Sequence, residues 1–163
     1  MNTASTAVFS EVPAPPVASN VMELRSASAR VVVREPVRGW LDGVKARFNE
    51  LVQMRSGWDG YQGAPVSFVN ANFALRMLEA VCGENAPMPQ IVPGPDGDLQ
   101  IEWHTIGADI ELHVRGPNNV HAWRLVNGAA DGQERVLSND FTLVSAWINE
   151  LAEPMSATGA AAA

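Results

Sequence analysis

Acidic and imidazole side chains alternate along two neighbouring stretches, and they are the residues best able to do chemistry. The group comprises Glu102, His104, Asp109, Glu111 and His113, to which Arg124 is added by the strand pairing predicted below. Carboxylates near imidazoles can bind a divalent metal or divide general acid and base roles. A solvated sheet face of this composition gives the same pattern, and Arg124 would compete with a metal for the carboxylates. We therefore expect no catalytic, metal or cofactor site, and keep as the alternative a small metal-dependent hydrolase using Glu102, Glu111 and His113.

A glycine-rich connection over residues 56–65 holds the second candidate group, Trp58, Asp59 and Tyr61. Glycines permit backbone conformations that a plain connection between helices rarely needs. One interpretation is a recognition loop that presents Trp58 and Tyr61 to a partner. The other is a structural plug, in which Trp58 covers the core and Asp59 closes an Asx turn. Both interpretations stay open from the sequence.

Two perfectly alternating segments must position the first group. Leu99, Ile101 and Trp103 share one face of the first segment, and Ile110, Leu112 and Val114 share one face of the second. This period of two predicts an antiparallel hairpin in which Trp103 lies opposite Ile110. A slip of one residue would expose every apolar side chain, so the register is strongly specified.

A third strand is predicted over residues 120–126, after the turn formers of residues 116–119. Pairing Arg115 with Val120 puts Trp123 and Leu125 on the apolar face. The same register places His121 at the edge of that face and forms a polar row of Glu102, Glu111 and Arg124. A fourth strand is predicted at about residues 134–137.

Apolar residues spaced by three and four predict three helices. The first opens at Glu35-Pro36 and carries Trp40, Val44 and Phe48 on its buried side. The second runs from Ser67 as N-cap to about Cys82, and the third begins near Ser138 or Asn139. The predicted fold class is α+β, with two N-terminal helices, a three- to four-stranded antiparallel meander sheet and one C-terminal helix.

Composition limits the functions that remain. Residues 1–30 and 154–163 are predicted to be disordered tails, and residues 31–153 a single α+β domain; the β-branched run 31–33 would add a strand if a tail pairs with the sheet. A single cysteine excludes an internal disulfide framework and favours a cytoplasmic location. The net charge is −7, and residues 56–163 carry four basic and thirteen acidic side chains. This acidity argues against nucleic-acid binding and favours a basic partner. No segment is apolar enough to predict a membrane span.

Two motifs resemble those of a set of small bacterial proteins of uncharacterised function. The first is Gly57-Trp58-Asp59-Gly60-Tyr61 with the segment 64–67, and the second runs from Pro87 to Trp103. Those proteins share a GWDGYGA-P-S segment followed by a P-DGG-QLEW strand. This chain differs by the insertion of Gln62 and by Asp98 in place of a second glycine. The resemblance implies a bacterial or phage-derived soluble protein and carries no activity.

The sequence therefore favours a non-enzymatic protein–protein interaction module. It would act as an adaptor or accessory protein, or as an antitoxin or immunity-type inhibitor whose acidic sheet covers a basic active site. Candidate contact residues are Trp58, Asp59 and Tyr61, and the second candidate surface is the polar face with Glu102, Glu111, His113 and Arg124. We expect a protein partner with a basic surface, or a homodimer, and neither nucleic acid nor membrane.

Overall fold

The computed structural model describes residues 37–152, and of the preceding segment only the backbone of two strands. These are β1 (Val21–Arg25) and β2 (Arg30–Arg34), which pair antiparallel as a hairpin with Val21 opposite Arg34. β1 lies inside the predicted N-terminal tail, and β2 contains the β-branched run 31–33. The rest of both predicted tails lies outside the described residues.

Residues 37–152 form an α+β unit, as predicted. Its elements, in chain order, are α1 (Leu41–Val52), α2 (Phe68–Val81), β3 (Gln90–Pro93), β4 (Leu99–His104), β5 (Ala108–Gly116), β6 (Asn119–Val126), β7 (Gln133–Leu137) and α3 (Thr142–Ala152). The five strands form an antiparallel meander in the order β3-β4-β5-β6-β7. The sheet thus has one strand more than expected, because β3 is short and ends at a proline and so gives little alternation.

Each helix buries one stripe of apolar side chains. Helix α1 buries Val44, Phe48 and Leu51, α2 buries Ala74, Met77 and Leu78, and α3 buries Val144, Trp147 and Ile148. Ser67 caps α2 as predicted, since its hydroxyl accepts a hydrogen bond of 3.1 Å from the backbone N–H of Asn70. Helix α1 begins later than predicted, at Leu41, with Trp40 at the N-cap position and Val37 exposed.

The β4–β5 register is the one predicted. Leu99 lies opposite Val114, Ile101 opposite Leu112, and Trp103 opposite Ile110. All six side chains are buried, and they form the part of the core that the helices cover. We call this covered side of the sheet the inner face.

The β5–β6 register differs from the prediction by one residue. Gly116 pairs with Asn119 across the turn, but Val114 then pairs with Val120, so that Arg115 forms a bulge. Asn118 has a φ of 57°, a left-handed conformation that asparagine tolerates in tight turns. As a result β6 presents the opposite face from the one we expected.

Two tryptophan side chains anchor the core to loop carbonyls. The indole Nε1 of Trp40 donates to the carbonyl of Gly83 at 3.0 Å, and that of Trp103 donates to Pro87 at 2.9 Å. Both rings are buried, so these bonds satisfy polar groups that would otherwise be costly to bury. Burial also raises the pKa of the Cys82 thiol to about 12, which disfavours the reactive thiolate.

None of the helices described between residues 37 and 152 has the length and apolar character needed to traverse a bilayer.

We predict that Trp103→Ala lowers the free energy of unfolding by about 3–5 kcal/mol, because it removes a fully buried ring and leaves a cavity. Trp123→Ala is the matched control: its ring lies half-buried on the opposite face of the sheet, so the loss should be smaller by about 2 kcal/mol. Urea denaturation of both variants measures the difference. Equal losses would contradict the observed β6 register.

Candidate functional site

The side of the sheet turned away from the helices carries most of the ionisable groups of the sheet. We call it the outer face, and it includes Asp98, Gln100, Glu102, His104, Asp109, Glu111, His113, His121, Trp123 and Glu134. Glu102, Glu111, Trp123 and Glu134 form one row across four strands. Gln100, His113 and His121 form the adjacent row. All three histidines of the chain thus share this face.

Arg124 does not belong to the outer face, so the predicted row of Glu102, Glu111 and Arg124 is wrong. The bulge at Arg115 turns Arg124 inward, where it is only 9% exposed. Its Nη2 donates to Glu150 of α3, and its guanidinium lies 5.8 Å from the centre of the Trp147 ring. Trp123 takes the place beside Glu111 that we had expected Arg124 to fill.

His121 is also on the opposite face from the predicted one. It lies directly across from His113, and its Nε2 donates to the carboxylate of Glu134. The pairing of His121 with His113 and Glu134 could not be predicted, because β6 has apolar residues on both faces. Val120 and Ala122 alternate with Trp123 and Leu125, so the periodicity fits either register. A bulge next to Gly116 is the feature that would have decided it.

Every histidine on the outer face contacts a carboxylate. His113 donates through Nε2 to Asp98, which is 9% exposed and lies in the loop before β4. His104 lies between two acids, with Nδ1 at 3.0 Å from Asp109 and Nε2 at 3.2 Å from Glu102. Asp98 was not among the site residues predicted from the sequence, where it stands only in place of a second glycine of the motif. These pairs hold the imidazoles in place across strands and loops.

Two pKa shifts follow from these contacts. The hydrogen bonds to Glu102 and then Asp109 stabilise the imidazolium and raise the pKa of His104 above its ordinary value of 6.5. Burial alone would raise the pKa of Asp98, but hydrogen bonds from His113 and from the backbone N–H of Asp96 outweigh it and lower the pKa. Asp98 therefore stays ionised around neutral pH.

A shallow cavity of about 310 Å³ lies at the centre of the outer face, lined by Gln100, Glu111, His113, His121, Trp123 and Glu134. Its composition bears on the alternative of a metal-dependent hydrolase. Among the described residues no group of three or more histidine, cysteine, aspartate or glutamate side chains is arranged to hold a metal ion. The predicted set of Glu102, Glu111 and His113 shares the face but does not converge on one point: Glu102 contacts His104, while His113 contacts Asp98.

The glycine-rich connection is held by its own side chains. The carboxylate of Asp59 accepts hydrogen bonds from the backbone N–H of Tyr61 at 2.9 Å and of Gly63 at 3.0 Å, and both bonds lower its pKa. The indole of Trp58 donates to the carbonyl of Ala64 at 2.9 Å and is half-buried. Tyr61 is different, since its side chain is 86% exposed. Trp58 and Asp59 thus shape the loop, and Tyr61 is the side chain that it presents.

The end of this loop is joined to the segment that leads into β4. The N–H of Ala64 donates to the carbonyl of Pro95 at 2.7 Å, and the N–H of Ser67 donates to Gly97 at 3.0 Å. The buried side chain of Asn70 adds a bond of 2.8 Å to the same Gly97 carbonyl. Gly97 has a φ of 78°, which favours glycine, and an added Cβ would lie 3.3 Å from the Pro65 carbonyl. We call the paired segments 64–67 and 95–98 the loop clasp.

We predict that Trp58→Ala and Tyr61→Ala separate the two roles of the connection. Trp58→Ala removes a half-buried ring and its hydrogen bond, so the midpoint of thermal unfolding should fall by several degrees. Tyr61→Ala should shift it by no more than about 1 °C, because an exposed surface side chain contributes little to stability. Differential scanning calorimetry measures both. A large shift for Tyr61→Ala would mean that its ring also packs in the folded state.

We predict that the His104 imidazole titrates above pH 6.5 in the folded protein. Its contacts then stabilise the fold fully below the unfolded-state pKa, and this contribution is lost as pH rises through the raised folded pKa. An NMR titration of the imidazole carbon-bound protons measures the value. Glu102→Gln should lower the pKa of His104, because it removes the charge of the first acid. Glu84→Gln, on an exposed residue outside the sheet, is the control and should leave it unchanged.

The two motifs that carry the resemblance to small bacterial proteins meet in the loop clasp. Membership of that group of proteins stays a prediction, and function has to be argued from the geometry of the outer face. No protein-family model, curated protein or solved structure matches the chain.

Proposed function

We propose that this protein is a non-enzymatic interaction module whose outer face binds a basic surface of a protein partner. The observation that carries the proposal is the excess of acid on a sheet face that the helices α1, α2 and α3 leave uncovered. Five carboxylates belong to the face, from Asp98, Glu102, Asp109, Glu111 and Glu134. Among the described residues, two arginines lie near them: the Nε of Arg115 is 3.4 Å from His113, and Arg135 donates to the backbone carbonyl of Glu134.

Charge complementarity selects the partner. A face with this many carboxylates attracts lysine and arginine side chains and speeds their encounter, while a like-charged surface is repelled. Nucleic acid is such a surface, because its binding depends on neutralising phosphates with basic groups. A second copy of the chain applied face to face would set acid against acid, so a different protein is the better fit.

The face also offers an apolar contact at its centre. Trp123 lines the central cavity together with Glu111 and Glu134. Tryptophan is enriched among the few residues that carry most of the binding energy at protein interfaces. A basic side chain of the partner would contact the Trp123 ring and the two carboxylates together.

The role of such a module is that of an adaptor, an accessory protein or an inhibitor that covers a basic active site. We place it in the cytoplasm of a bacterium, in keeping with the single cysteine, which is buried, and with the resemblance of its two motifs. The exposed Tyr61 is a second contact candidate that lies outside the face.

We predict that the double change Glu111→Gln and Glu134→Gln weakens partner binding by about tenfold or more, because it removes two charges from the centre of the interface. Partners would be captured from a lysate of the source organism with the wild-type protein and quantified by mass spectrometry. The affinity of the purified partner would then be measured for each variant at two salt concentrations.

The matched control is Asp42→Asn with Glu84→Gln, which removes the same charge from exposed residues of α1 and of the connection after α2. It should leave the affinity within about twofold of wild type, since exposed charges outside the interface contribute little to binding. A partner bound equally well by both double variants, or one whose binding does not weaken with salt, would contradict the proposal.

A further inference from the structure

We propose that a pocket around Arg124 binds a carboxylate that carries a small aliphatic group. The pocket has a volume of about 560 Å³, and its lining includes Ile106, Ala108, Arg124, Val126, Glu150 and Leu151. It lies between the tip of the β4–β5 hairpin, the end of β6 and the last turn of α3. It shares no lining residue with the cavity of the outer face, so the inference does not depend on the proposed function.

The charge at this pocket is buried and incompletely paired. Arg124 is 9% exposed, and its Nε is the one buried side-chain nitrogen or oxygen in the described part of the chain that has no hydrogen-bond partner. Leaving a buried donor unpaired costs about 1–3 kcal/mol, more when the group is charged. Native proteins rarely leave such a group without water, an ion or a ligand.

The geometry of the guanidinium selects a carboxylate. Its Nε–H and one Nη–H point the same way and match the two oxygens of a carboxylate. Glu150 accepts a hydrogen bond from Nη2 and none from Nε, and its own side chain is 59% exposed. A side chain so exposed can swing into solvent and free Nη2, and a ligand that pairs with both donors requires the same movement to uncover the buried Nε. The competing arrangement is a rotation of Glu150 that covers both donors itself, and the experiment below distinguishes the two.

The surroundings of Arg124 select the aliphatic part of the ligand. Ile106 at the hairpin tip is 85% exposed, and Val126 at the end of β6 is 41% exposed. Ala108 and Leu151 add further apolar groups to the lining. A mostly apolar lining with a small number of charged or polar groups is the usual composition of a site for a small ligand. Branched short-chain acids and the C-terminal residue of a peptide that ends in leucine both have this chemistry.

Isothermal titration calorimetry and NMR of the full chain test the proposal with two probes, isovalerate and the dipeptide N-acetyl-glycyl-leucine. At least one probe should bind saturably with a dissociation constant of about 1 mM, the scale available to a ligand of so few atoms. Binding of the dipeptide alone would identify a peptide C-terminus as the source, and binding of isovalerate alone a free acid. Isovaleramide and the dipeptide amide should not bind, because each lacks the carboxylate.

Three variants decide between a ligand site and an internal ion pair. Glu150→Gln removes the competing charge and should tighten binding by about fivefold, the scale of a charge contact near a protein surface. Glu84→Gln is the control for charge and should have no effect. Arg124→Lys keeps the charge but loses the paired donors, so the affinity should fall by about tenfold or more.

Ile106→Ser should weaken binding severalfold, whereas Val136→Ser, on an equally exposed apolar residue of β7, should not. Because Glu150 and Ile106 are exposed, these variants remain informative even if Arg124→Lys fails to fold. No saturable binding of either probe to the wild type or to Glu150→Gln would overturn the proposal and leave Glu150 as the sole partner of Arg124. Binding of the amides as tight as that of the acids would overturn it as well.

Discussion

At the turn between β5 and β6, Arg115 is the one residue by which β5 exceeds its partner strand. An extra residue in one strand reverses which side chains the next strand sends to each face. Here the reversal buries Arg124 and brings His121 and Trp123 to the surface. The outer face owes His121 and Trp123, and the pocket under α3 owes Arg124, to this single local irregularity.

Charged side chains are accommodated differently on the two faces of the sheet. On the inner face, the guanidinium of Arg124 lies over the Trp147 ring and forms an ion pair with the carboxylate of Glu150 from α3. On the outer face the charges remain near water, and like-charged neighbours such as Glu102 and Glu111 stand opposite each other. Directly opposed carboxylates destabilise a sheet. His104, which binds Glu102 from the same strand, offsets part of that cost.

Much of this fold could be read from the sequence, and what escaped has a physical cause. The β4–β5 hairpin was predictable because every apolar residue within the two strands falls on one face, so burial permits only one register. The register of β6 was not predictable, because apolar residues occupy both of its faces. Strand β3 was not predicted, because its four residues are too few to show an alternation of apolar and polar side chains. The candidate residues of the outer face were found except those that the bulge moved, and Asp98 was missed because its contact with His113 joins a loop to a neighbouring strand.

The loop clasp ties residues 64–67 to residues 95–98, and the intervening chain contains α2 and β3. Closing a loop of this length costs entropy before its few hydrogen bonds are gained. Contacts of such sequence separation tend to slow folding. We expect the clasp to form late in folding, in which case its strength would be expressed mainly in how slowly the native state unfolds.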